Sequence, residues 1–308
     1  MSLRILMKNK LSRLGEFGLI DLIRKNAHNT KDVVKGIGDD TAVLSVGGSC
    51  HQLFTTDMLV EGVHFTRKMN ARAIGHKALA CSISDIAAMG GVPSAAVVSI
   101  GLPANLEIDF VKDIYRGMNI LAKRFGVAIV GGDTVRSEKI IINVALLGWV
   151  KKEELVTRSG ARRGDRIFVT GVLGRSLQTG KHLSFIPRIA ESQFLVKHFK
   201  PTAMIDISDG LSADLGHILE QSRVGACLWK EKIPRTQGAT LREALSDGED
   251  FELLFTLSAQ NAKRLLNLKK NSSRFYPIGE ITGSREKLIL MDRQGKTAVL
   301  KLSGYKHF

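Results

Sequence analysis

The chain of 308 residues has little cysteine, few aromatics and a shortage of acid. Its three cysteines, Cys50, Cys81 and Cys227, lie far apart and form no CxxC pair. That excludes a zinc ribbon and a disulfide framework, and it fits a reducing cytoplasm. Aromatics make up only 6% of the chain, too few to interleave with charge as stacking platforms for single-stranded nucleic acid. No apolar run is long enough to span a bilayer, and no charged-then-apolar leader opens the chain, so no membrane partner is expected. The usual nucleotide loops are missing as well. Gly174 to Gly180-Lys181 is one residue too long for a P-loop and sets His182 where Ser or Thr should meet Mg²⁺. Gly36-Ile37-Gly38 opens like a dinucleotide fingerprint but lacks the third glycine, and two aspartates follow at once.

Lys and Arg number 45 against 30 Asp and Glu, a formal charge of +15. Such an excess raises a nucleic-acid reading. The basic residues form no dense block, however, the tightest group being Arg158, Arg162, Arg163 and Arg166. The expectation is therefore no nucleic-acid partner and a solvated positive surface that helps attract anionic metabolites.

Because acids are scarce, their placement carries information. Five short segments set aspartate beside glycine or a hydroxyl at the end of an apolar run: Gly38-Asp39-Asp40, Thr55-Thr56-Asp57, Ser84-Asp85, Gly131-Gly132-Asp133 and Asp206-Ile207-Ser208-Asp209-Gly210. One such pair is an ordinary turn, since Asx side chains cap turns and helices. Five at strand ends, where α/β folds place ligands, suit hard divalent cations, which take short oxygen ligands. The pattern reads as a multi-metal phosphate site.

Apolar periodicity predicts helices over 14–26, with Phe17, Leu19, Ile20, Leu22 and Ile23 buried, and over 72–89, 106–125 and 211–221. It predicts strands over 52–56, 95–102, 127–130, 140–150, 166–170, 204–207 and 251–257, with Asp57 and Asp133 delivered just past strand ends. Ile74, Ala78, Cys81 and Asp85 share one helical face, so Asp85 must be paired, hydrogen-bonded or metal-bound there. The charged run 151–154 breaks the pattern and separates an expected domain 1–150 from a second, 151–308. Strands alternating with helices on both sides give an α/β or α+β protein of mixed sheets packed with helices.

Some residues stay open on this reading. Asp206 and Asp209 share a metal cluster, or Ser208 or Asp209 simply caps the following helix, or both. His64 is a ligand or a structural histidine. Arg158 clamps a phosphate or is a linker arginine.

Taken in order, these segments resemble the thiamine-monophosphate kinase family. They run from Gly15-Glu16-Phe17 through Thr56-Asp57, Glu61, His64-Phe65 and Ser84-Asp85 to Gly131-Gly132-Asp133-Thr134 and Thr157-Arg158. Asp206, Ser208-Asp209, Gly248-Glu249-Asp250 and Gly304-Tyr305 through Phe308 complete the series. The resemblance implies a two-domain fold shared with aminoimidazole ribonucleotide synthetase and a homodimer with nucleotide near its interface. The implied reaction is transfer from ATP to thiamine monophosphate, giving thiamine diphosphate, with several Mg²⁺ ions and no general base. By motif position, Asp40, Thr55, Thr56, Asp57, Asp85, Asp133, Asp206 and Asp209 match metal ligands. Tyr115, Gly132, Asp133, Arg158 and Ser208 match nucleotide contacts, and His64, Glu249 and Tyr305 match the substrate pocket, where Glu249 would favour a thiazolium by charge. Asp247 stands where that family usually has glycine, and the stretch 181–202 is short. A selenophosphate synthetase would carry a reactive Cys and a lysine before Gly36, and a hydrogenase-maturation dehydratase a C-terminal cysteine; this chain has neither.

Overall fold

The computed structural model describes residues 11–268, 274–283 and 287–305. The last positions of the C-terminal motif, 306–308, lie outside them. The helices are α1 (Leu11–Asn26), α2 (Ala71–Ala88), α3 (Ile108–Phe125), α4 (Ser176–Thr179), α5 (Ile189–His198), α6 (Leu211–Ser222), α7 (Leu241–Ser246) and α8 (Ala259–Leu266). Six strands form the first sheet: β1 (Val33–Lys35), β2 (Ala42–Ser45), β3 (Cys50–Val60), β4 (Val92–Leu102), β5 (Ala128–Arg136) and β6 (Ile141–Lys151). Their spatial order is β1-β2-β3-β6-β4-β5, and only β4 and β5 run parallel.

The second sheet holds β7 (Arg166–Val169), β8 (Ala203–Asp206), β9 (Gly225–Trp229), β10 (Leu253–Leu257), β11 (Tyr276–Thr282), β12 (Leu288–Met291) and β13 (Thr297–Val299). Its order is β13-β12-β9-β11-β7-β10-β8, with β12 and β9 parallel. Both sheets are thus mixed and packed with helices, as the alternation of elements predicts. The chain passes between them through 152–165, beginning with a short 3-10 turn at Lys152–Glu154.

Strands run further than periodicity suggests. β3 pairs with β6 without a break from Cys50↔Lys151 to Val60↔Ile141, so the ladder runs straight through Thr55–Asp57. Asp57 therefore sits inside a strand rather than at its end. Asp133 likewise lies within β5, and Gly132 is there because a Cβ would meet the Val98 carbonyl oxygen at 1.8 Å. The N-terminal helix also departs from expectation: Gly15 (φ 69°) kinks it, and Phe17, Leu22 and Ile23 are exposed. Its recorded ring contact is Phe17 on His217, so α1 lies on the outside of the molecule instead of entering a core.

Helix α2 packs against both halves. Asn70 caps it by accepting from Arg72 N and Ala73 N. It meets α3 backbone to backbone: a Cβ on Gly75 would stand 1.8 Å from Ile114 O, and one on Gly117 1.9 Å from Arg72 O. Its residues Ile74, Ala78 and Ile83 belong to the core under the first sheet, whereas Ala87 and Ala88 pack with Phe168, Leu253 and Phe255 of the second half. Buried all round, α2 carries the residues at its centre into the middle of the molecule.

Candidate active site

Three carboxylates from distant parts of the chain meet around the end of α2. Asp40 follows the Gly38 turn, Asp85 sits in the last turn of α2, and Asp206 ends β8; one carboxylate oxygen from each lies within 4.8 Å of the others. Strand alternation points Thr55 and Asp57 toward the same helix. Thr55 Oγ1 donates to Asp85 Oδ2 at 2.5 Å, Ser82 Oγ to Asp57 Oδ2 at 2.8 Å, and Ser84 Oγ to Asp206 Oδ2 at 2.6 Å. Thr55 and two hydroxyls of α2 thus aim the acids, while Asp40 Oδ2 has no hydrogen-bond partner among the described residues.

The electrostatics are those of surplus negative charge. Burial pushes Asp206 up to about 8, with Asp40 repelling it and Ser84 partly compensating. Asp40 is raised to about 6 by burial against the pull of Arg158. Asp85 goes well above the carboxylate range, through burial and then repulsion by Asp57, Asp206 and Asp40. Asp57 is raised by burial, with Ser82 and Asp85 hydrogen bonds opposing. Arg158 is the cation that answers them: Nη2 reaches Asp40 Oδ1 at 2.7 Å, and its backbone N donates to Asp39 Oδ1 at 3.1 Å. Burial pulls its guanidinium down, but Asp40 and Asp39 carry it above the ordinary arginine value. Lys35 pairs with Asp39 at 3.0 Å. A set of short oxygen ligands, partly protonated for want of positive charge, fits hard divalent cations.

The remaining candidates fall into separate groups. Asp209 lies with Asp214 and His217, their ligand atoms within 4.8 Å of one another. Asp206 and Asp209 thus go to different clusters. The N-cap of α6 is Gly210, without a side-chain cap. Instead of Ser208 or Asp209, Asp214 reaches back and accepts from Asp209 N at 3.2 Å and Gly210 N at 3.0 Å. Burial, with Arg158 nearby, lowers His217 to about 4, so the ring is neutral.

Thr56 points away from Thr55 and accepts from Asn143 Nδ2 at 2.9 Å. Register carries that face outward, Asn143 opposite Ser99 and Ser99 opposite Asp133. Asp133 stands three strand spacings from β3, roughly 14 Å. Within one chain, then, Thr56 and Asp133 lie on the outer face of the first sheet and not with Asp40, Asp85 and Asp206. Tyr115 lies on α3, half-buried against the first core.

A cavity of about 600 Å³ gathers the expected substrate residues: His64, Glu249 and Tyr305 line it, as do Asp57, Ser208 and Asp209. His64 Nδ1 accepts from Val60 N at 3.0 Å, which sets the ring proton on Nε2. Tyr305 is tied by its backbone N to Asp209 O at 3.0 Å. Glu249 adopts a left-handed φ of 63°, held by its N–H on Ser208 O at 2.6 Å. It is no lone anion. Lys77 Nζ donates to its Oε1 at 2.6 Å and His182 Nδ1 lies 3.2 Å from Oε2. Burial raises Glu249, but His182 and Lys77 hold it below the usual glutamate value. Asp247 accepts from Arg175 N at 3.0 Å and so joins the Glu249 turn to the start of α4.

Sequence reasoning passed over Lys77, His182 and Asp214. The signal for Lys77 was present: a lysine immediately before the run Ala78-Leu79-Ala80-Cys81, on a helix with no polar face, has nowhere to reach water.

Residues 38–150 match the family model described as AIR synthase related protein, N-terminal domain. A thiamine-monophosphate kinase of Buchnera aphidicola subsp. Schizaphis graminum is 34% identical, covering 95% of this chain and 98% of its own length. A thiamine-monophosphate kinase of Aquifex aeolicus is 38% identical, over 80% of this chain and 87% of its own. Among solved structures, AaThiL complexed with AMPPCP and TMP matches with a TM-score of 0.84 at 34% identity, covering 98% of this chain and 99% of that one.

Proposed function

The chain belongs to the thiamine-monophosphate kinase family, and we propose that it performs that family's reaction across the acid cluster and the His64–Glu249 cavity. The enzyme phosphorylates thiamine monophosphate with ATP. An oxygen of the acceptor phosphate bonds to the γ-phosphorus of ATP, the bond from that phosphorus to the β-phosphate oxygen breaks, and ADP leaves with the electron pair. The products are ADP and thiamine diphosphate.

The observation that carries the site assignment is the buried group Asp40, Asp85 and Asp206, joined through Asp57 to the wall of the cavity. A phosphate monoester is largely dianionic near neutral pH, its second pKa being about 6, so it needs no base. The obstacle is repulsion between two polyanions, about 4 kcal/mol per pair of unit charges ~4 Å apart at an effective dielectric of ~20. Mg²⁺ held by Asp40, Asp57, Asp85 and Asp206, with Thr55 beside them, would supply the neutralising charge. Asp209 would serve the same end from the Asp214 side of the cavity. Arg158 and Ser208, at the edges of these groups, would meet the nucleotide phosphates, and His64, Glu249 and Tyr305 would hold the vitamin.

Thr56, Gly132 and Asp133 fit this scheme if the outer face of the first sheet is covered by a second copy. That face exposes Phe54 (44%), Met58 (55%), Val97 (41%) and Trp149 (44%), an apolar surface of the kind that marks association. The reading is of a homodimer with nucleotide near this face. It is also of a cytoplasmic enzyme, supported by the free thiols Cys50, Cys81 and Cys227. No described helix is long and apolar enough to cross a membrane.

Incubation with ATP, Mg²⁺ and thiamine monophosphate, followed by chromatography, tests the activity. Thiamine diphosphate is expected in step with ADP. ATP consumed on another acceptor with no thiamine diphosphate formed would overturn the assignment.

A further inference from the structure

Lys77 is wholly buried at the centre of α2. An ammonium taken out of water without partners is very costly, so its contacts define why it is there. Nζ lies 2.9 Å from His64 O, 2.6 Å from Glu249 Oε1 and 3.3 Å from His182 Nδ1. The ammonium thus meets a backbone carbonyl, a carboxylate and a ring nitrogen. Glu249 Oε2 is itself buried and lies 3.2 Å from the same His182 nitrogen. Two of the three partners, His64 and Glu249, line the same cavity. They come from different halves of the chain, and Lys77 is bonded to both.

We propose that Lys77 is a positioning residue for the acceptor substrate, fixing the Glu249 carboxylate and the His64 backbone against each other at the wall of the cavity that would receive it. The inference rests on the kinase reading above. It changes what Glu249 does. Paired with Lys77, the carboxylate adds no net charge to the cavity and steers no cation from a distance. It gives instead a wall of fixed shape, against which a cationic heterocycle is seated while its phosphate meets the acids. Lys77 touches no reacting atom. Its loss therefore weakens acceptor binding and leaves the nucleotide side intact.

The test is Lys77→Met, which keeps an unbranched side chain in the same space. KM for thiamine monophosphate should rise by roughly 10- to 100-fold, the range for removing a hydrogen bond to a charged group. KM for ATP and kcat should change by less than about threefold, because only binding shared by ground and transition state is removed. A fall in kcat with both KM values shifted together would mean a merely structural role and would overturn the proposal. So would an unchanged KM for thiamine monophosphate.

Glu249→Gln and the double variant complete a cycle. If Lys77 acts through Glu249, the double variant is no weaker than Glu249→Gln alone, whereas additive losses overturn the inference. Should Lys77→Met not fold, the double variant, which leaves no orphan charge, carries the comparison against Glu249→Gln. Calorimetric binding of thiamine monophosphate reads the same shift without turnover. A wild-type protein that makes no thiamine diphosphate would sink the kinase reading, while active wild type with an unshifted Lys77→Met would sink only this inference.

Discussion

Asp85 and Asp206 at one end of α2, and Glu249 and Glu252 in the turn leading to β10, are all carboxylates drawn out of water, yet they titrate apart. The aspartates are raised by burial and by one another. The glutamates are lowered despite burial: Glu249 by His182 and Lys77, and Glu252 by Arg188 and Lys181. Arg188 grips Glu252 in two-pronged fashion at 2.7 and 2.8 Å, and Lys181 adds a third contact at 2.9 Å. Where the chain supplies the cations itself, the acid is finished and serves geometry. Where it leaves negative charge in excess, the missing cations must come from outside. Burial alone does not mark a reactive carboxylate; the local balance of charge does.

The strongest way to break this contrast is Asp85→Asn. Turnover under limiting Mg²⁺ should fall by roughly 10²–10³-fold, the scale seen when one preorganised electrostatic group is lost. The metal-free protein should be no less stable, since a neutral amide removes a carboxyl whose charge burial, Asp57, Asp206 and Asp40 all oppose. An unchanged rate at limiting Mg²⁺ would remove Asp85 from the metal set.

Glu252→Gln tests the other side. It strands Arg188 and Lys181 against a neutral amide and should cost about 3 kcal/mol of stability, read by urea unfolding, with kcat unaltered. Loss of activity at full stability would move Glu252 into the reactive group.

A smaller effect comes from pH. In the fold Asp206 sits at about 8 and Asp40 at about 6, against about 3.9 for an aspartate in the unfolded chain. Between these values the folded state holds more protons, so metal-free stability falls as pH rises from 4 toward 8 and the loss is complete above that. Melting of the metal-free protein should drop by on the order of 5 °C from about pH 5.5 to about pH 8.5. Mg²⁺, which takes the deprotonated form, should stabilise far more at the upper pH. Equal stabilisation at both would show that these acids are not its ligands.

Smallest of all is Asp247→Gly. It removes one acceptor for Arg175 N and should cost about 1 kcal/mol, with KM for thiamine monophosphate within about twofold. A larger change in KM would make Asp247 part of substrate selection.

Much of this architecture is readable from periodicity, because α2, α3 and β6 bury continuous apolar faces and nearly keep their predicted ends. The clustering of Asp40, Asp85 and Asp206 could be suspected from residue type but not located, since their meeting depends on α2 bridging two sheets. β3 and β5 outran prediction because ladder pairing with β6 and β4 outweighs the polar character of Thr55–Asp57 and Gly131–Asp133. The division of the acids between two faces of the first sheet follows from register, which no local pattern reveals. His182 reads as a defect in a P-loop when seen in sequence; in space it is a partner for a buried lysine.

The acid that neutralises Lys77 lies 172 positions downstream of it. At synthesis rates of about 5–20 residues per second, the ribosome releases α2 roughly 10–30 s before its counter-ion exists. During that interval the nascent first half carries at its centre an ammonium that cannot be buried unpaired. Final seating of α2 must wait for the Glu249 turn to emerge. One ion pair thus makes the maturation of the early half conditional on completion of the late one.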